Sequence, residues 1–119
     1  MSHPIKLPRP VAQYVDAVNV GDVDGFLWTF ADEALVQDVN RTIRGSNAIA
    51  QWARREIFGV NVRLDVQKVV ASSDRTVVTM KIDGSFDRKG LPEPLLMDHS
   101  FVLADGRISK LEISLTEGP

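Results

Sequence analysis

Near Val60 the spacing of apolar residues changes from a helical repeat to strict alternation, and that change limits the folds open to the chain. Before it, Val11, Tyr14, Val15 and Val18 recur at the interval that builds one helix face. Pro10 suits the first turn of that helix and Gly21 its end. Asp22 is placed to cap a second helix, whose apolar stripe is Val23, Phe26, Leu27 and Phe30. Residues 34–40, "ALVQDVN", alternate as a short strand. The following "RTIRGS" reads as a loop in which Ser46 caps a third helix, lined by Ile49, Trp52, Ala53 and Ile57 and ended by Gly59.

Beyond Val60, Val62, Leu64 and Val66 alternate with Arg63, Asp65 and Gln67. "SSDR" turns the chain, and the next strand carries Val78, Met80 and Ile82 on one face. After the polar loop "DRKGLPEP", Leu95, Met97, His99, Phe101 and Leu103 alternate against Leu96, Asp98, Ser100 and Val102. "ADGR" is an Asp-Gly hairpin turn leading to Leu111, Ile113 and Leu115. Consecutive hairpins make a mainly antiparallel sheet, with the three helices on one face: an α+β fold. Long strands twist and curl, so the expected shape is a cone around an internal pocket. Residues 1–119 read as one domain, with residues 1–9 a Pro-rich tail.

A chain of 119 residues buries roughly two-thirds of its unfolded surface. Its net charge of -2 offers no footprint for nucleic acid. The absence of cysteine removes disulfides and thiolate chemistry, and agrees with a cytoplasmic location. No apolar run is long enough to span a bilayer, and "MSHPIKLPRP" lacks the apolar stretch of a secretion signal. One inward aspartate and one histidine fall short of a transition-metal site, and "GDVDG" lacks the later ligands of a calcium loop. With no Gly-rich phosphate loop either, neither cofactor nor metal is expected.

Within "ALVQDVN", Ala34, Val36 and Asp38 share one side of the strand. If the small apolar side faces inward, so does Asp38, and an inward carboxylate must be paired, protonated or set against a cavity. Two readings follow: a base in a pocket, or a buried acid bonded to backbone N–H groups or to Arg41. His99 reads as a pocket residue, with a satisfied core histidine as the alternative. Trp28, Phe30 and Trp52 are candidate aromatic walls, with Trp52 also suited to ordinary core and Trp28 to the surface. Met80, Met97, Phe101 and Ile113 lie on the faces that would line such a pocket.

"VAQYVDAVNVGDVDGFLWTFADEALVQDVN", then "IRGSNAIAQWAR" and "HSFVLADGRISKLEI", resemble the nuclear transport factor 2-like superfamily. The similarity is to its SnoaL-like polyketide cyclase and ketosteroid isomerase-like branches. The resemblance implies a general base at Asp38 and a hydroxyl donor at Tyr14. It implies a second donor at His99 or Asp98, and alternation favours His99, which shares a face with Met97, Phe101 and Leu103. In this chain Val39-Asn40 stands where such relatives carry Pro and Gly, and the second acid is missing. The resemblance also implies a homodimer through the outer sheet face, where alternation leaves Leu35, Val69, Leu96 and Val102. Three functions compete: proton transfer beside the carbonyl of a small hydrophobic molecule, binding of such a molecule without chemistry, or protein interaction through a filled cone.

Overall fold

In a computed structural model, which describes residues 6–116, α1 (Arg9–Val20) buries Val11, Tyr14, Val15 and Val18. It ends at Gly21, whose φ of 75° is the left-handed conformation that side chains resist. Arg9 already belongs to this helix, so the expected tail is shorter; its residues 1–5 lie outside the described residues. α2 (Val23–Trp28) begins at Asp22, whose Oδ1 accepts a hydrogen bond from the Gly25 N–H at 2.9 Å. α3 (Ser46–Ala53) buries Ile49, Trp52 and Ala53 and runs into a π turn over Arg54–Phe58. Ser46 does not cap it. Gly45 holds the cap position, and the Ser46 hydroxyl donates to the Asp32 carbonyl.

Six strands form one open, mixed sheet. They are β1 (Phe30–Asp38), β2 (Arg41–Arg44), β3 (Arg63–Ala71), β4 (Thr76–Asp83), β5 (Leu96–Ala104) and β6 (Arg107–Leu115). Their order is β2-β1-β6-β5-β4-β3, antiparallel throughout except where β1 meets β6. The expected strand 34–40 is displaced: it starts at Phe30 and stops at Asp38. The expected loop 41–44 is edge strand β2, because four residues with a single apolar side chain are too few for alternation to show.

A second departure moves one outer-face residue. β3 bulges between Val66 and Lys68, and an extra residue reverses the two faces beyond it. Val69 therefore pairs with Val78 and packs against the core, while Val70 is left exposed. Val69 does not belong to the outer face.

The concave face of the sheet presents Val36, Leu111, Phe101, Val78 and Met80, all fully buried beneath the helices. The end of α1 is tied to β3 by Asn19, which accepts from the Leu64 N–H at 2.7 Å and donates to its carbonyl at 2.9 Å. Among the described residues no helix is long and apolar enough to cross a membrane.

Candidate functional site

Strand register places Asp38, Ile113 and His99 in one row across β1, β6 and β5. Neighbouring strands lie about 4.8 Å apart, so Asp38 and His99 are separated by roughly 10 Å of backbone, with Ile113 between. Ala34 and Val36, on the Asp38 face, are buried, so that face points toward the helices. Tyr14 descends from α1, its ring centroid 6.3 Å from that of His99. Tyr14, Asp38, Trp52, Met97, His99 and Ile113 line a cavity of about 120 Å³. Asp38, Glu56, Val62, Ile82 and Met97 also line an adjoining funnel of about 520 Å³, walled further by Phe86, Leu91, Leu95 and Leu115. The inner space alone is small for a ligand pocket, whereas the funnel lies within the usual range of about 300–1,000 Å³.

The inward carboxylate is paired. Asp38 Oδ2 accepts from Arg41 Nη2 at 2.8 Å and from the Trp52 indole Nε1 at 3.1 Å. Arg41 also donates to both oxygens of Glu56, at 2.7 and 2.5 Å. Those bonds hold the Glu56 carboxyl below its usual range and raise the Arg41 guanidinium further above neutrality. Asp38 thus lines the cavity and is also bonded to Arg41.

His99 is 4% exposed, and burial pushes its imidazole down to about 4. The Met97 carbonyl and the Asp38 and Asp98 carboxylates pull the other way by less, and Nδ1 has no partner in hydrogen-bond geometry. Burial, and after it the Asp38 charge, raises the Tyr14 hydroxyl above its usual value. Near neutral pH both groups are therefore uncharged and able to donate a hydrogen bond. Asp98 lies on the opposite face, where its Oδ1 accepts from the Thr79 and Thr116 hydroxyls at 2.6 and 2.9 Å.

Four of the candidate wall residues lie elsewhere. Trp28 is 67% exposed at the end of α2, with the Arg107 guanidinium 3.8 Å above its ring. A helix of six residues buries only Phe26, which leaves Trp28 on its outer side. Phe30, Phe101 and Met80 are buried outside the cavity lining; the Phe30 and Phe101 rings join Tyr14 and Phe26 in one aromatic cluster. Sequence reasoning missed Glu56 and the polar role of Trp52. The Asp38–Arg41 spacing was readable, but a π turn follows no helical repeat that would point to Glu56. Among the described residues no group of three or more His, Cys, Asp or Glu is placed to hold a metal ion.

A family model described as a SnoaL-like domain matches residues 11–111. A proposed polyketide cyclase from Sinorhizobium meliloti superposes with a TM-score of 0.81 at 30% identity, over 91% of this chain and 95% of that one. The Delta 5-3-ketosteroid isomerase of a Mycobacterium species superposes with a TM-score of 0.71 at 18% identity, over 91% and 96%. A Mycobacterium tuberculosis protein crystallised with estradiol-17beta-hemisuccinate gives 0.76 at 14%, over 91% and 92%. The two lower identities speak for the fold alone. No curated protein sequence matches the chain.

Proposed function

Because the chain belongs to the SnoaL-like domain family, we propose that its cavity takes a small hydrophobic molecule by a carbonyl or phenolic oxygen, with Asp38 acting as an acid–base group and no cofactor. The observation that carries this reading is that Tyr14, Asp38 and His99, from a helix and two strands, line one cavity. In the proposed reaction Asp38 takes a proton from the carbon next to the carbonyl. Tyr14 and His99, both uncharged, donate to the oxygen as it becomes an enolate, and Asp38 returns the proton. The choice of ligand class follows what is known of proteins that share the fold, one a ketosteroid isomerase and another crystallised with a steroid ester.

Phenol mimics the enolate and tests the site. Tyr14→Phe or His99→Ala should weaken phenol binding by about 1–3 kcal/mol in calorimetric titrations. Asp38→Asn should spare that binding and abolish deuterium exchange into a cyclic ketone. Phenol binding indifferent to both donors, with no exchange in the parent, would leave Asp38 a structural acid. A second reading, ligand binding without chemistry, draws on the engagement of Asp38 Oδ2 by Arg41 and Trp52. Exchange alone separates the two.

The proposal includes a homodimer through the outer sheet face. Leu35, Leu96 and Val102 are only half-buried there, and Val70 is exposed. Light scattering should give twice the chain mass; a monomer at every concentration would remove this part of the reading.

A further inference from the structure

Two backbone irregularities bear on the same three charged side chains. Val39, directly after Asp38, has a φ of 57°, in the left-handed region where a β-branched residue is strained. Its side chain is more than half exposed, so packing does not compensate. That conformation makes the tight turn that returns Arg41 opposite Asp38. The second irregularity is the π turn over Arg54–Phe58, a rare geometry that concentrates at functional sites, and it carries Glu56.

The hydrogen bonds connect the two. Glu56 grips the Arg41 guanidinium at two points, and Arg41 Nη2 continues to Asp38 Oδ2. Trp52 adds its indole N–H to the same oxygen. Oδ2 is held twice, whereas Oδ1 has no hydrogen-bond partner among the described residues. Asp38 and Glu56 both stand where the cavity meets the funnel.

We infer that Arg41 and Glu56 are positioning residues: Glu56 fixes Arg41, Arg41 and Trp52 fix Oδ2, and Oδ1 remains as the oxygen presented to a ligand. The catalytic consequence rests on the acid–base reading above, whereas the arrangement itself does not. Arg41 is about half exposed, and an ion pair in that setting that merely joined hairpin to helix would add little to the fold.

The test compares the full chain with Glu56→Gln, Arg41→Gln and Glu56→Asp. It reads the Trp52 indole N–H proton resonance, phenol affinity, and deuterium exchange into cyclohexanone, with the surface Trp28 resonance as internal control. Glu56→Gln and Arg41→Gln should each shift the Trp52 resonance and slow exchange by about tenfold or more, the order of loss expected when a reacting group is misplaced. Phenol affinity should stay within about twofold, because the donors to its oxygen are Tyr14 and His99. Glu56→Asp should recover part of the exchange. An unmoved Trp52 resonance with a parental exchange rate overturns the inference. If the parent neither binds phenol nor exchanges, the acid–base reading falls, and the inference then stands or falls on the Trp52 resonance alone. Should Arg41→Gln fail to fold, Glu56→Gln carries the test from the far end of the network, leaving the Arg41 donor to Asp38 in place.

Discussion

Acidifying the protein from pH 6.5 to pH 4.5 should remove most of a His99 contribution on the order of 3 kcal/mol, and His99→Leu should flatten that dependence. In the unfolded chain the His99 imidazole gains a proton as the pH falls through its ordinary value of 6.5. In the folded protein, burial keeps it neutral until about 4. Between those values the unfolded state binds more protons, so stability falls as the pH falls, and below the lower value the loss levels off. The shift is about 2.5 units at roughly 1.4 kcal/mol each, which sets the size of the effect. Glu56 acts in a separate window. Its carboxyl is held below 4.5 by Arg41, so its contribution is present above that value and is lost only at lower pH. Urea denaturation at half-unit steps would therefore isolate the histidine at the upper end. A flat parental profile between pH 6.5 and 4.5 would mean that His99 is open to water.

That histidine was legible in the sequence for a physical reason. A strand buried on one face has a period of two, so placing Phe101 in the core also fixes His99 inward and Asp98 outward. The same logic turned Asp38 inward with Val36. It failed on Val69, where a single inserted residue reversed the faces, and a bulge leaves no mark in a run such as "VQKVVA". Strand β2 escaped notice because its residues at the sheet edge are mostly polar. The helix caps followed local chemistry: Asp22 capped with its carboxylate and Gly21, lacking a side chain, took the left-handed turn, while Gly45 took the cap that Ser46 was expected to hold.

The remainder of the site lay beyond any periodicity. Trp52 reads as an ordinary stripe residue because burial is indeed its main role, and nothing in a helical repeat tells that its indole nitrogen meets a strand carboxylate. Arg41 was within reach, three residues after Asp38, but its second partner is 15 residues away on a turn of irregular pitch. Trp28 shows the converse. Being off the apolar stripe made it a candidate wall, yet the side away from the core of a short helix is solvent, and Arg107 covers it there. Alternation, in short, assigns a face to a residue, whereas partners depend on how separate elements are docked.

Docking of the helices gives the second large effect. Phe26 is fully buried, and its ring centroid lies 4.9 Å from Tyr14, 5.3 Å from Phe30, 5.4 Å from Phe58 and 6.4 Å from Trp52. It is the one buried residue of α2, and it touches a site residue from α1 on one side and another from α3 on the other. Phe26→Ala should cost about 3–5 kcal/mol, a large share of the roughly 5–15 kcal/mol that holds a domain folded. Phe26→Leu keeps most of the volume but not the ring contacts, and should cost about 1–2 kcal/mol. Urea midpoints with unchanged slopes would measure both. The leucine variant separates stability from function, since it stays folded while Tyr14 and Trp52 lose the ring they rest on. Its phenol affinity should fall although Phe26 does not line the cavity. Parental affinity in that variant would show that Tyr14 is held from the sheet side, through Phe101 at 5.2 Å, and that α2 serves the core alone.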